Sequence, residues 1–246
     1  YVYELLIQII HLKSDLEFVL LVNRDSPFLK IKLPENFKLR IMRTSWISIW
    51  GNLELAWVLR RLKPNLFHSP SFMAPILVNI PQVNTIHDLN HVALAENYSW
   101  AHHFYYNVYL LKKLQRARKV ITVSNFSKSE ILNFFKLPNG RVQVIYNGVS
   151  PRFAPAGMQD AKKLEQVRIK YELPENYILS IGNKKPHKNI ARLVEAYCRG
   201  NFTEPLVLRT EFDPELLALA ERYNKKHAIH FLRFVSYDEL PYLYCM

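Results

Sequence analysis

Glycine is scarce in this chain, with 6 residues in 246, which is low for an α/β protein. Neither G-x-G-x-x-G nor G-x-x-x-x-G-K-[ST] occurs, so the common glycine-rich phosphate cradles are excluded. Cysteine is rarer still. Cys198 and Cys245 lack metal or redox spacing. As free thiols they suit a reducing, cytoplasmic compartment. No run of 18 apolar residues occurs, so no membrane-spanning helix is expected. The apolar run over 16–22 is only strand-sized. The nine histidines show neither HExxH nor Cys/His ligand spacing, so no bound metal or cofactor is expected.

What is abundant is apolar residues and positive charge. Hydrophobic residues make up 49% of the chain and the net charge is +12. Residues 1–150 hold 18 Lys/Arg against 9 Asp/Glu, whereas 151–246 hold 15 against 12. A basic first half suits nucleic acid, an anionic membrane surface or a phosphorylated lipid, as well as plain solubility. No RNA- or DNA-binding signature supports the first of these.

Strand-like runs at 17–22, 39–42, 66–68, 83–86, 120–123 and 142–146 alternate with helical patterns at 1–12, 52–62, 99–118 and 127–136. This alternation predicts a parallel α/β sheet. Ser127 and Glu130 have capping-box spacing. Asn147-Gly148, Pro151, Pro155 and Gly157 then break the pattern, and 151–174 reads as a linker containing a helix near 160–171. A second unit over 175–246 follows, with strands at 177–181, 206–209 and 229–232 and helices at 190–199 and 213–225.

The most informative stretch is ILSIGNKKPHKNIARLVEAY, residues 178–197. An apolar run predicts a buried strand, Ile178 to Ile181. Gly182 opens a loop carrying Asn183, Lys184, Lys185, His187 and Lys188. Ile190, Leu193, Val194 and Tyr197 then mark one helix face, with Asn189 as N-cap. Backbone N–H groups and a helix dipole behind a cationic loop favour a phosphate. By spacing alone, an ordinary βα loop with solvated lysines fits equally.

The GNKKPHKN run resembles the donor-phosphate loop of retaining glycosyltransferases of the GT-B fold, family 4, mannosyltransferase-like. Further segments agree in order. VNTIHDL (83–89) resembles that family's His-Asp strand end, and VITVSNFSKSEIL (120–132) its strand–loop–helix. VQVIYNGV (142–149) resembles the strand and turn that close the first domain. FVSYDELPYLY (234–244) resembles the segment before the donor-sugar motif. The resemblance implies two Rossmann-like units facing across a cleft, 1–150 on the acceptor side and 175–246 on the donor side. Family members also carry a glycine-rich loop upstream and an acidic sugar-binding motif downstream. The chain is therefore expected to be an internal piece of a longer enzyme, with the second unit truncated and the piece itself inactive.

The resemblance also implies roles. Gly182, Asn183, Lys184 and Lys188 become donor phosphate-binding residues. Many relatives place Arg after the loop glycine, and here Asn183 stands there. His87 and Asp88 become the catalytic pair beside the transferred sugar; read alone, they better suit a capped strand end with a hydrogen-bonded histidine. Ser124, Asn125 and Asn147 are candidates to line the cleft, although Ser124 and Asn125 also fit ordinary turn and cap chemistry. Arg209 and Arg233, where relatives often have Gly, receive no role. Expected partners are a nucleotide sugar and a glycan or lipid-linked acceptor, with no nucleic acid and no metal. Aromatic and basic residues over 99–119 add a candidate peripheral contact with an anionic membrane, against a core-helix alternative. A nucleotide-sugar epimerase of the same fold and a basic nucleic-acid-binding α/β protein are the competing readings.

Overall fold

The computed structural model describes residues 1–45, 48–75, 78–89 and 109–246. The chain forms two compact units, Tyr1–Gly148 and Val149–Met246. Every strand pair in both units is parallel, as the strand–helix alternation predicts.

In the first unit, helix α1 (Val2–His11) leads to β1 (Phe18–Val22), which pairs with β2 (Phe37–Ile41). Helix α2 (Ile49–Leu62) leads into a four-stranded sheet ordered β3 (Phe67–Ser69), β4 (Gln82–Thr85), β5 (Lys119–Thr122) and β6 (Val142–Val144). Helix α3 (Leu111–Arg116) precedes β5, and α4 (Asn125–Phe135) connects β5 to β6. Leu110, Leu114, Val120, Ile131, Phe135 and Val142 form the core over this sheet. Met42, Leu55, Val58 and Leu59 form a second cluster beneath α2.

Several expectations are corrected here. Helix α1 forms where expected but buries none of its residues, its apolar side only partly covered. Helix α2 starts at Ile49 rather than 52, because Ser48 caps it by accepting from Gly51 N at 2.9 Å. Helix α4 starts two residues earlier than 127. Its cap is Ser124, whose Oγ accepts from Ser127 N at 3.0 Å, so Ser127 lies inside the first turn rather than at a capping box. The expected helix over 99–118 falls mostly outside the described residues, as do Trp100, Phe104, Tyr105 and Tyr106. Its described end is α3.

In the second unit, α5 (Ala161–Lys170) precedes β7 (Ile178–Ile181), α6 (Ile190–Arg199), β8 (Leu206–Arg209), α7 (Pro214–Glu221), β9 (Ile229–Phe231) and α8 (Leu240–Cys245). The sheet order is β7-β8-β9. Central β8 is buried on both faces by strand alternation. Leu206 and Leu208 pack with Ile190, Val194 and Tyr197 of α6, while Val207 packs with Val167 of α5 and Leu243 of α8. The helix within 151–174 thus contributes Val167 to this core. Strand β7, expected to be buried, is an edge strand of partial exposure, with Ile181 at 37%. An apolar run does not distinguish an edge from a centre. Leu193, expected on the inward face of α6, is likewise 37% exposed, and Cys198 is buried in its stead.

Candidate functional site

Parallel strands place all their C-terminal ends on one edge, where open α/β sheets bind ligands. Each unit has one such edge, and the sequence-predicted residues fall on them.

In the first unit, His87 and Asp88 follow β4, Ser124 and Asn125 follow β5, and Asn147 follows β6. The structure links the first two strand ends directly. Ser127 Oγ donates to the His87 carbonyl at 3.0 Å, and Ser124 Oγ donates to Ser127 Oγ at 3.1 Å. Ser124 is therefore both helix cap and part of the support beneath His87. The His87 ring meets Tyr1 edge-on, with centroids 4.4 Å apart. Asn125 Nδ2 donates to Tyr146 OH at 2.8 Å, joining the ends of β5 and β6. Asn147 is exposed just beyond. Sequence reasoning missed Tyr1 and Tyr146. Tyr146 directly precedes Asn147 within VQVIYNGV, and that adjacency was the available signal.

In the second unit, Gly182 N donates to Arg209 O at 3.2 Å, continuing the ladder past β7. A Cβ on Gly182 would sit 3.1 Å from Ile190 Cδ1. Glycine here thus lets the strand end approach the start of α6 closely. Asn183 Oδ1 accepts from Lys185 N at 3.1 Å, tightening the loop. Pro186–Lys188 form a short 3₁₀ turn, and Asn189 is left-handed, with φ 54°. Asn189 occupies the N-cap position, but its side chain makes no cap hydrogen bond, which corrects the expectation. The turn set by Pro186 delivers Asn189 in a conformation that does not bring its side chain to the helix. The first N–H groups of α6 are therefore left without that cap.

Lys184 is paired with Asp213 at 3.6 Å. Asp213 also caps α7, accepting from Glu215 N at 3.0 Å. Lys185, His187 and Lys188 are exposed, and Lys188 has no ion pair among the described residues. Arg209 ends central β8 in register with Ile181. Arg233 follows β9, its guanidinium 5.8 Å from the Phe212 ring centroid. Cations from all three strand ends thus share one edge, with Asp213 and Glu211 as the acids beside them. Such an edge attracts anions. Sequence reasoning missed Asp213, whose D-P-E-L context marks a helix start but not a lysine partner.

The cationic segment before β5 is less free than its composition implies. Lys113 Nζ donates to Val78 O at 3.1 Å, and burial, with Arg116 nearby, lowers its pKa. Lys119 Nζ donates to Gly140 O at 2.9 Å. A shallow depression lined by Leu59, Lys63, Val78 and Pro81 lies at the opposite, N-terminal edge of the first sheet, away from every candidate residue.

Residues 1–153 match the family described as Glycosyltransferase Family 4. The chain belongs to glycosyltransferase family 4. The E. coli protein named O-antigen chain mannosyltransferase B is 32% identical over 197 residues, covering 77% of this chain. The chain spans about half of that protein's length (51%). A glycosyltransferase structure from Rickettsia africae superposes with a TM-score of 0.63 at 18% identity, covering 94% of this chain and 71% of that one. Anabaena Alr3699/HepE, solved in complex with UDP-glucose, gives 0.62 at 17% identity, covering 91% and 63%. At those identities the likeness concerns the fold, and it is that of GT-B glycosyltransferases with Rossmann-like units.

Proposed function

We propose that this family 4 chain belongs to a retaining glycosyltransferase that moves a sugar, mannose by likeness to its O-antigen relatives, from a nucleotide-sugar donor to a glycan or lipid-linked acceptor. The observation that carries the reading is the cation-rich edge of the second unit, where α6 starts without a side-chain cap behind the Lys184–Lys188 loop.

In the proposed reaction the bond from the sugar's anomeric carbon to the diphosphate breaks. The electron pair leaves with the diphosphate, a bond forms to the acceptor oxygen, and the acceptor hydroxyl's proton passes to the departing diphosphate oxygen. Charge grows on the leaving group as the bond lengthens. Lys188 and the open N–H groups of α6 stabilise that charge more in the transition state than in the ground state. Gly182 and Asn183 shape the loop. His87 is assigned to the sugar's reacting face, where an oxocarbenium-like centre needs an electron-rich neighbour, and Asp88 to the acceptor. Ser124, Asn125 and Asn147 line the same edge. The HepE complex with UDP-glucose supports a nucleotide-sugar donor for this fold.

The test is transfer, by the whole enzyme to which this chain belongs, from nucleotide-linked mannose to a lipid-linked glycan, with the product's anomeric configuration read by NMR. Product of unchanged configuration is expected. Inversion overturns retention, and nucleotide-sugar binding that is indifferent to Lys188→Ala overturns the donor site.

A further inference from the structure

Arg233 stands where relatives often have Gly, so no shared feature of the family explains it. It follows β9 and is exposed. Its guanidinium lies 5.8 Å from the Phe212 ring centroid, and among the described residues its N–H donors meet neither a carboxylate nor a carbonyl. Phe212 is itself held edge-on by Phe231 of β9, with centroids 5.4 Å apart and planes at 64°. It is 43% exposed, and Phe234, next to Arg233, is 73% exposed. Two bare rings and one open guanidinium therefore gather at the end of β9.

Strand pairing sets their distance from the loop after β7. Ile181 pairs with Arg209, and Leu208 with Phe231. Extending that register brings Gly182, Thr210 and Arg233 level across the edge. Neighbouring strands lie about 4.8 Å apart, so the end of β9 is roughly 10 Å from the Lys184–Lys188 loop. A nucleoside whose diphosphate sits on that loop can reach it with its base. The chemistry favours a base over a second phosphate. Glu211, exposed and directly before Phe212, puts a carboxylate beside this strand end, and a bare ring offers a phosphate nothing. A flat base stacks on such a ring. Arginine lies against aromatic faces while its planar fork donates two parallel hydrogen bonds. Guanine answers that fork with two adjacent acceptors, O6 and N7. Adenine pairs N7 with an N–H donor, and a pyrimidine lacks the acceptor pair.

We propose that Arg233 and Phe212 form the base-binding end of the donor site and select guanine nucleotides, with the base stacked on Phe212 and its O6 and N7 accepting from the Arg233 fork. This rests on the donor-site reading of the second unit given above. It gives that site a specificity-determining residue that belongs to this chain rather than to the family pattern.

The experiment is calorimetric titration of the whole enzyme to which this chain belongs with GDP, IDP, ADP, UDP and inorganic pyrophosphate. GDP and IDP, which share O6 and N7, should bind comparably and more tightly than ADP and UDP. Arg233→Lys keeps the charge but loses the fork. It should weaken GDP and IDP roughly 5- to 150-fold and leave ADP, UDP and pyrophosphate as in wild type. Phe212→Leu should weaken all four nucleotides at least about 5-fold and spare pyrophosphate, because stacking does not depend on the base. Equal wild-type affinity for GDP and UDP overturns the proposal. So does Arg233→Lys weakening every ligand alike, which would make Arg233 a phosphate contact, or Phe212→Leu weakening pyrophosphate as much as GDP. In each of these cases Lys188-dependent nucleotide binding persists and the donor-site reading stands. Failure of every nucleotide and of pyrophosphate to bind overturns both.

Discussion

Ser127 Oγ donates to the His87 carbonyl at 3.0 Å across two neighbouring strands. One hydroxyl thus fixes the backbone that carries the candidate catalytic histidine. Ser127 is 5% exposed, and Ser127→Ala removes its bond to the part-buried His87 carbonyl, which should cost about 0.5–1.5 kcal/mol. Chemical denaturation checks this. Ser127→Thr, which keeps the hydroxyl, should lose less, and equal losses would show that packing rather than the bond is at stake.

Two glycines should differ sharply on substitution. A Cβ on Gly51 meets the Ser45 carbonyl, which is backbone and cannot turn aside. A Cβ on Gly182 meets only the mobile Cδ1 of Ile190, at 3.1 Å. Gly51→Ala should cost about 1–3 kcal/mol, and Gly182→Ala less than about 1 kcal/mol. Thermal melts of the two variants would refute this by showing the reverse order.

Glu239 accepts from Lys170 Nζ at 2.7 Å, Ser236 Oγ at 2.7 Å and Tyr171 OH at 2.8 Å. These bonds, Lys170 foremost, hold its carboxyl down at about 2. The folded pKa lies below the unfolded one, so the stabilisation is present above the usual glutamate range, about 4.3. It fades as pH falls toward about 2. Glu239→Gln should therefore melt below wild type near neutrality, with the gap closing on acidification. A gap that stays constant with pH would contradict this.

Lys188→Ala in the active enzyme should lower kcat by roughly 10²–10³-fold, in line with the loss of a preorganised charge donor. Lys184→Ala should do less harm, because Lys184 already faces Asp213 at 3.6 Å. Steady-state kinetics with the nucleotide-sugar donor decide this, and unchanged kcat and KM for Lys188→Ala would remove it from the phosphate site.

Lys63 and Lys136 close α2 and α4 in the left-handed region, with φ 45° and 50°, where glycine is usual. Relieving that conformation gains about 1–2 kcal/mol, offset by about 0.5–1 kcal/mol of added chain freedom. Lys63→Gly and Lys136→Gly should each raise the melting temperature slightly. A fall would mean that the lysine side chains contribute more than the backbone strain costs.

Much of this architecture was legible because parallel α/β chains announce themselves locally. Apolar runs marked β4, β5 and β7, and the candidate site residues followed directly at their ends. The misreadings have physical causes. Asn before a helical run usually caps it, but Pro186 starts a 3₁₀ turn that turns Asn189 left-handed. Ser124 and Ser127 both suit a cap, and only the geometry selects Ser124. Partners such as Asn125 with Tyr146, or Lys184 with Asp213, are brought together by strand pairing across a whole helical crossover. No local pattern encodes those meetings.

Asp213 gives the second edge a resident counter-ion. An anion reaching Lys184 must exchange with a carboxylate that the start of α7 already holds in place. On the proposed donor-site reading, weak monovalent anions gain little from that swap, whereas a diphosphate that also engages Lys188 and the α6 amides gains on several contacts at once. The pair would then filter ligand charge, and Asp213→Asn should let simple phosphate compete better while narrowing the advantage of a nucleoside diphosphate.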